Sequence, residues 1–208
     1  MPDLTTESVV ADYLRYKLNS EGLQCPFTEA PERSDPPTPF QNALRRETRK
    51  IEVQYQRNMN GEAITDSFHL TPTNASSTFH STVHVLFHSG QNAQGTGNSV
   101  QASAGRICSL LAFSGVFVVH CVRNEMPQLV EQVAQWTIDY INANLLAWIN
   151  QNGGWIGLFQ PPAVPQDPWM PRYGIMLGVA ALGAVTALAM KLARLKGKTV
   201  FRLTKKTG

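Results

Sequence analysis

The most apolar stretch of the chain body runs from Gly105 to Val122, and from Ile107 onwards it holds no Asp, Glu, Lys or Arg. A helix over these residues is hydrophobic on every side, which a surface helix cannot be. It is also shorter than the roughly 20 residues that a membrane-spanning helix needs. The pattern therefore predicts a helix buried at the centre of the fold, although entry of the same helix into a bilayer stays open.

Apolar residues at helical spacing recur on both sides of this central stretch. Asp3 or Thr5 can cap the first of these helices, and Gly22 can end it. No stretch shows the sustained alternation of apolar and polar residues that is typical of a strand. The pattern predicts an all-α fold, a bundle of about eight helices around one central hydrophobic helix. The helices are expected at residues 4–18, 40–60, 73–88, 105–122, 124–152 (as one or two helices) and 155–159.

A second uncharged run, Gly174 to Met190, lies near the C-terminal end and has basic residues on both flanks. It is at the lower edge of what a spanning helix needs, and the lysine at its end can reach the membrane interface. We predict a transmembrane tail anchor over residues 171–195, after a helical domain over residues 1–170. A hydrophobic helix folded back onto the protein's own surface is the alternative. Within the domain, the five prolines of residues 23–39 predict a flexible loop.

Charge is distributed unevenly along the chain. The last 18 residues hold seven basic residues and no acidic one, so the other 190 residues carry a net charge of −4. Attraction to an anionic membrane explains the basic tail of residues 196–208 without any nucleic acid, because an apolar segment precedes it. This arrangement favours the mitochondrial outer membrane, with the body facing the cytosol, over the endoplasmic reticulum.

Few residues could carry catalysis or hold a metal. His80, His84 and His88 share one helix face, but a catalytic zinc needs an acidic partner, and no HExxH motif occurs. We interpret them as an exposed polar face. No phosphate-binding glycine loop, GxSxG motif or carboxylate pair is present, so we expect neither an enzyme nor a cofactor. The odd number of cysteines argues against a disulfide framework, and Cys108 and Cys121 are expected to be small core residues.

Arg106 is the one strong charge of the central stretch and stands at its start. A cation at a helix N-terminus opposes the helix dipole, and a guanidinium beside an apolar run is expected to be partly buried and to need a carboxylate. That carboxylate can come from this chain, from Glu62, Asp66 or Asp139. It can also come from a binding partner that lies across a hydrophobic groove.

Three stretches resemble homology motifs of the Bcl-2 family of apoptosis regulators. Trp148 to Trp155 reads WINQNGGW and resembles the second motif. Gly105-Arg106-Ile107, continuing through Phe113 and Gly115, resembles the first motif. Residues 10–18 resemble the N-terminal fourth motif of the survival-promoting members. The motifs occur in the family's order and extend over essentially the whole chain.

The resemblance implies a surface groove that receives an amphipathic helix, the third homology motif, from a death-promoting relative. The family's groove arginine, which pairs with an aspartate of that helix, falls on Arg106. The protein would then be a survival-promoting regulator that prevents permeabilisation of the mitochondrial outer membrane. Its partners would be death-promoting family members and, through the C-terminal helix, a membrane. The groove positions that the resemblance implies are Gly105, Arg106, Ile51, Tyr55, Met59, Val83, Leu86, Ser109 and Phe113.

Two departures from the family pattern bear on this function. Ser103 and Ala104 stand where the family has Asn-Trp before Gly-Arg, so one side chain that caps the ligand is lost or replaced by Ser103. Leu44 could begin an internal third motif, but Thr48 and Arg49 occupy the positions of its Gly-Asp pair. Without the small residue and the acid, this segment is a poor donor to another protein's groove, which favours a role as groove wall.

Two other functions stay open. The first is a pore-forming effector of the same fold, in which the helix of residues 105–122 enters the membrane. The second is a membrane-tethered scaffold without a working groove. Release of liposome contents distinguishes the first, and absence of any binding to a third-motif peptide distinguishes the second.

Overall fold

The computed structural model describes residues 4–26, 36–58, 70–88 and 100–159. These residues form seven α-helices and no strand, which confirms the all-α prediction. The expected tail anchor over residues 171–195 and the basic tail of residues 196–208 lie outside the described residues. The helices are α1 (Thr6–Ser20), α2 (Pro39–Asn58), α3 (Ala75–His88), α4 (Ala104–Arg123), α5 (Leu129–Asn144), α6 (Leu146–Gln151) and α7 (Gly154–Gly157).

The helices lie close to their predicted positions and differ from them mainly at the ends. The segment expected over residues 124–152 is two helices, because Leu145 leaves the helical conformation at φ −122° between α5 and α6. The last short helix begins at Gly154 rather than at Trp155. Gly153 and Gly154 both have positive φ, 84° and 68°, which is where a glycine is needed to turn the chain into α7.

α4 forms the centre of the fold. Fifteen of its 20 residues are buried, and α1, α2, α3 and α5 all pack on it. Among the described residues α4 is the one helix that is long and apolar enough to cross a membrane. However, 83% of its most apolar 18 residues are buried inside the protein. Each fully buried large apolar side chain stabilises the fold by about 1.5–3 kcal/mol. The prediction of a buried central helix is therefore confirmed.

Aromatic side chains connect α4 to the helices on one side of it. The ring of Phe79 on α3 lies 5.5 Å from that of Phe113 and 5.7 Å from that of Phe117, both on α4. The same ring lies 5.5 Å from Trp136 on α5. Ring separations in this range add roughly 0.5–1.5 kcal/mol per pair beyond area burial. These contacts fix α3 against α4 and α5, and so fix one side of the candidate site.

α1 was expected over residues 4–18 and extends over Thr6–Ser20, with Thr5 and Gly22 at its ends as the sequence predicts. The Oγ1 of Thr5 accepts a hydrogen bond from the backbone N–H of Ser8 at 3.2 Å, which satisfies one of the unpaired donors of the first turn. At the other end, Gly22 has φ 70°, and the N–H of Leu23 donates to the carbonyl oxygen of Leu18 at 3.0 Å. This bond closes the C-terminus as in a Schellman motif.

A chain of ion pairs joins α1 to α2 and α4. The ammonium of Lys17 donates to Glu52 at 2.9 Å and to Glu21 at 3.0 Å, and Arg123 donates to the second oxygen of Glu21 at 2.6 Å. Burial alone would lower the pKa of Lys17, but the two carboxylates raise it. The hydrogen bond from Lys17, together with Arg123, holds the pKa of Glu21 below its usual value. The hydroxyl of Tyr13 also donates to Glu52, at 3.2 Å.

The cysteines of α4 are core residues, as predicted. Cys108 and Cys121 are buried, and all three cysteines of the chain are free. Burial raises the pKa of the Cys108 thiol to about 12 and that of Cys121 to about 11. Both thiols are therefore protonated at neutral pH and behave as small apolar groups.

Candidate binding groove formed by α2, α3 and α4

α2 and α3 both lie against α4. Each of them packs on α4, but the two helices make little direct contact with each other. α2 and α3 therefore form the two sides of the candidate groove, and α4 forms its base. The described residues that the sequence analysis assigned to the groove come from all three helices, namely Ile51 and Tyr55 on α2, Val83 and Leu86 on α3, and Gly105, Arg106, Ser109 and Phe113 on α4. Met59 lies outside the described residues.

The apolar members of this set belong to one continuous buried cluster. Val83, Leu86, Ile51 and Phe113 are at most 2% exposed, and Tyr55 is 9% exposed. The side chains that the resemblance places along an open groove are therefore inside the protein in this structure. A ligand helix can reach them only if the structure around them rearranges.

The first turn of α4 is held by two serine side chains. The Oγ of Ser103 accepts a hydrogen bond from the backbone N–H of Arg106 at 3.2 Å and so caps the helix. The Oγ of Ser109 is fully buried and donates to the carbonyl oxygen of Gly105 at 2.9 Å. Ser103, which stands where the resemblance leads us to expect an asparagine, therefore has a role in starting α4.

Arg106 is buried, with 4% of its surface exposed, as expected for a guanidinium beside an apolar run. Its Nη1 donates to two backbone carbonyl oxygens, that of Phe87 at the end of α3 and that of Gln101 in the segment before α4, both at 3.2 Å. The carbonyl of Phe87 also accepts the N–H of Gln101 at 3.2 Å. The hydrogen bonds of Arg106 thus connect the C-terminal turn of α3 to the segment that precedes α4. Burial lowers the pKa of its guanidinium, which nevertheless stays charged at neutral pH.

One of the acids considered as an internal partner of Arg106 can be placed. Asp139 on α5 is exposed, and its carboxylate accepts a hydrogen bond from the side-chain amide of Gln135 at 2.7 Å. Glu62 and Asp66 lie outside the described residues.

Comparison with known proteins identifies the family to which this arrangement belongs. A family model described as apoptosis regulator proteins of the Bcl-2 family matches residues 44–155, from the second turn of α2 into α7. This chain belongs to the Bcl-2 family. It is a regulator of apoptosis, and the matched region contains every described residue of the candidate groove.

Individual relatives extend the similarity to other parts of the chain. Apoptosis regulator R11 of Xenopus laevis is 29% identical over 156 residues, which are 73% of this chain and 70% of that protein. Apoptosis regulator Bcl-2 of Canis lupus familiaris is 31% identical over 170 residues, 79% of this chain and 66% of that protein. Human Bcl-2-like protein 1 is 33% identical over 120 residues, 58% of this chain and 46% of that protein. The chain therefore spans just under two thirds of canine Bcl-2 and less than half of human Bcl-2-like protein 1.

Tyr140 is a polar residue of the site in this Bcl-2 family protein that sequence reasoning missed. Its ring lies 5.0 Å from that of Phe87, whose carbonyl holds Arg106, and its buried hydroxyl has no hydrogen-bond partner among the described residues. Burial raises its pKa to about 12, while the charge of Arg106 acts in the opposite direction. The sequence showed Tyr140 only as part of the apolar stripe of α5, since nothing local indicates which helix its hydroxyl faces.

The histidines of α3 do not enter the groove. His80 and His84 are exposed, and the rings of His84 and His88 stack at 4.1 Å. Ring nitrogens of His80 and His88 each bond to the carbonyl oxygen four residues earlier. Within the described ranges, no group of three or more His, Cys, Asp or Glu side chains could hold a metal.

Proposed function

We propose that this protein is a survival-promoting member of the family that holds the amphipathic third-motif helix of a death-promoting relative between α2 and α3. By sequestering that helix it would prevent permeabilisation of the mitochondrial outer membrane. One observation carries the proposal. α2 and α3 both pack on α4 and make little direct contact with each other, and Arg106 is buried in the first turn of α4.

Binding of the helix requires these buried apolar side chains to become exposed. The apolar side chains of the ligand would then take the place of protein contacts around Ile51, Leu86 and Phe113, which are now buried. About four large apolar anchors supply roughly 1.5–3 kcal/mol each before the costs of opening and ordering are subtracted.

Arg106 would set the register of the bound helix. An aspartate of the ligand competes with the carbonyl oxygens of Phe87 and Gln101 for the guanidinium. A charged acceptor forms a stronger bond with a guanidinium than a neutral carbonyl does, so the exchange favours the ligand. Because hydrogen bonds to the ligand replace hydrogen bonds to the two carbonyl oxygens, the net gain in binding free energy is modest. The main effect of Arg106 is on which helices bind and on how the bound helix is aligned.

The survival-promoting direction is supported by the surroundings of α2. Thr48 occupies the position where a donor helix needs a small residue, and it is 1% exposed with its Oγ bonded to the carbonyl oxygen of Leu44 at 2.9 Å. Arg49 stands where such a helix needs its acid. Both features suit a helix that stays in its own fold as a wall.

The proposal includes a division of the chain into parts. The helical domain of residues 1–170 would face the cytosol, with residues 171–195 as the anchor in the mitochondrial outer membrane and residues 196–208 on its surface. The apolar run from Gly174 to Met190 and the basic residues that follow it support this assignment.

A peptide titration tests the groove. The full chain is placed in phosphatidylcholine nanodiscs and titrated with a fluorescent third-motif peptide, and with the same peptide in which the key aspartate is asparagine. We expect saturable binding that weakens at least about tenfold in Arg106→Glu and is unchanged in Arg46→Glu, an exposed arginine of α2. The wild-type protein should bind the asparagine peptide more weakly than the aspartate peptide. The Arg106→Glu variant should bind the two peptides with equal affinity.

Two results would contradict the proposal. Binding that is indifferent to both Arg106 and the peptide aspartate would remove Arg106 from the site. No binding at all would instead favour a scaffold without a working groove.

A pore-forming effector is the second candidate, because α4 is long and apolar enough to cross a membrane. An effector would release dye from liposomes after it is triggered by a third-motif peptide, whereas a survival-promoting protein would release none and would suppress release by an effector. The dye-release assay therefore separates the two candidates directly.

A further inference from the structure

The solvent-facing side of α2 carries a row of four exposed cations, Arg46, Arg49, Lys50 and Arg57. The last three follow Arg46 by three, four and eleven residues, so all four lie on one side of the helix. Ile51, which belongs to the core, points to the other side. At 1.5 Å per residue this basic row is about 17 Å long.

The charge of the basic row is largely uncompensated. Glu47 accepts hydrogen bonds from Arg46 at 3.2 Å and from Lys50 at 2.8 Å, and its side chain is only 14% exposed. Arg49 and Arg57 form no ion pair with any residue that the structure describes. The four cations and this one carboxylate leave an excess of three positive charges on the surface.

The acids on the neighbouring side of α2 do not reduce this excess. Glu52 is paired with Lys17 at 2.9 Å, and Asp12 on α1 is paired with Arg45 at 3.3 Å. Each pair is neutral as a unit. By sequence, α2 has a net charge of +3, whereas the rest of residues 1–190 have a net charge of −7. The positive charge of the helical domain is therefore concentrated on α2.

An apolar side chain lies within the basic row. Val53 follows Arg46 by seven residues and precedes Arg57 by four, and it is 37% exposed. It is one of two large hydrophobic residues that are exposed in the described part of the chain. A helix that rests on a membrane surface combines these two features, because its cations meet the lipid phosphates and its apolar groups enter the headgroup region.

The described part of the chain ends beside this helix. The ring of Phe159, the last described residue, lies 5.6 Å from the ring of Phe40 in the first turn of α2. The apolar run that we propose as the anchor begins at Gly174, so residues 160–173 connect the two. A chain of this length spans at most about 50 Å. An anchored tail would therefore attach the domain to the bilayer next to α2 and keep the bilayer at a high local concentration around it.

We propose that the basic row, together with Val53, is a contact surface for anionic phospholipid headgroups and lays the helical domain on the membrane. Its cations are spread along a straight line of about 17 Å, which matches a planar anionic surface. The proposal rests on the anchor of residues 171–195 for the choice of a membrane as partner. It does not use the groove.

Fluorescence quenching at the membrane surface tests the contact. In a Cys25→Ser background, the full chain carries a fluorescent label at Val53→Cys or, as a matched control, at Gln132→Cys on α5. Gln132 is also exposed, and α5 makes little direct contact with α2. Each protein is mixed with phosphatidylcholine vesicles that contain a headgroup-nitroxide lipid and increasing fractions of phosphatidylserine. We expect phosphatidylserine to quench the label at position 53 in a saturable way and to leave the label at position 132 unquenched.

Matched substitutions locate the effect on α2. Arg49→Gln should lower the equilibrium constant of the contact, taken from the quenching curve, about fivefold, the contribution of one cation near an anionic surface. Arg15→Gln removes an arginine of α1 that is partly exposed and also has no ion pair among the described residues. Because Arg15 is not in the basic row, its loss should change the constant less than about twofold. Circular dichroism checks that both variants are folded.

Three outcomes would overturn the proposal. The first is equal quenching at position 53 with and without phosphatidylserine, which would remove charge from the contact. The second is equal quenching of the two labels, which would mean that α2 is not the surface that contacts the membrane. The third is an equal effect of Arg49→Gln and Arg15→Gln, which would reduce the attraction to net charge.

Flotation with pure phosphatidylcholine vesicles at about 1 M salt tests the anchor separately, because a Debye length of about 3 Å suppresses the attraction of the basic row. A chain that floats there but shows no quenching at position 53 on anionic vesicles would refute the basic row and support the anchor. A chain that fails to float but shows Arg49-dependent quenching would refute the anchor and support the basic row. Neither result depends on whether a third-motif peptide binds in the groove.

Discussion

Gly115 lies in α4 where this helix crosses α1, and replacing it tests how closely the two helices pack. A Cβ built at this position would lie 3.0 Å from Cγ of Lys17 and 3.1 Å from Cε1 of Tyr13. Contacts this short require a neighbour to move. Both neighbours are restrained, because Lys17 and Tyr13 are each bonded to Glu52 on α2.

Two opposing effects set the magnitude. Alanine is favoured over glycine inside a helix by about 1 kcal/mol. Overpacking a close-packed site costs about 1–3 kcal/mol, and restrained neighbours place this site in the upper half of that range. We therefore expect Gly115→Ala to lower the free energy of unfolding by about 1 kcal/mol. Gly115→Val adds two more methyl groups at the same crossing and should lower it by roughly 3 kcal/mol or more.

Urea unfolding of the full chain, followed by tryptophan fluorescence, measures the effect. The matched experiment repeats Gly115→Ala in a Lys17→Ala background, where the Cγ that meets the new methyl group is gone. There the loss should be smaller by about 1 kcal/mol, a coupling typical of residues in contact. The reasoning is refuted if Gly115→Ala stabilises the wild-type protein by the full propensity gain, or if the two substitutions are additive.

The remaining predictions concern a turn, a carboxylate and two thiols. Gly157→Ala should disrupt α7, because the new Cβ would overlap a backbone carbonyl oxygen of the preceding turn. The Cβ of Gly154→Ala meets no atom within 4 Å, so this variant should lose only the roughly 1–2 kcal/mol that a positive φ costs an alanine. Equal stabilities of the two variants in urea unfolding would contradict this. Glu21 has its pKa held low by the lysine four residues earlier, so its contribution is present above pH 4.5 and is lost as the pH falls through the folded-state pKa. The difference in stability between wild type and Glu21→Gln should vanish in acid, and a difference that persists there would disprove the pairing. Cys108, with a pKa of about 12, should resist alkylation at pH 8 in the native protein, while the partly exposed Cys25 should react. Mass spectrometry measures the labelling of each cysteine. Equal labelling of the two would mean that α4 is accessible to the reagent.

The helices and the core could be predicted because their signals are local. The absence of charge from Ile107 to Val122 indicates burial whatever surrounds the helix, and the structure buries it. Thr5 and Gly22 act at the ends of the helix to which they belong. Helical periodicity and capping depend on residues within a few positions of one another, so the sequence displays them directly.

The candidate site could be predicted only in part. The Gly-Arg pair at the start of α4 located Arg106, and its partial burial followed from the apolar residues after it. The carbonyl acceptors of Arg106 could not be predicted, because the backbone carbonyls of Phe87 and Gln101 carry no signal in residue identity. The closeness of Tyr140 to this arginine also depends on how α5 packs against α3.

By itself, then, the sequence determined the helical content, the buried central helix, the core thiols and the family motifs, since each is written in short-range patterns of polarity and residue type. The tertiary structure alone decided that the groove residues are enclosed and that Arg106 connects the end of α3 to the start of α4. The physical reason is that hydrogen bonds and ion pairs act over a few ångströms, between groups that only packing brings together. Lys17 and Glu52 are 35 residues apart in the chain and 2.9 Å apart in the fold.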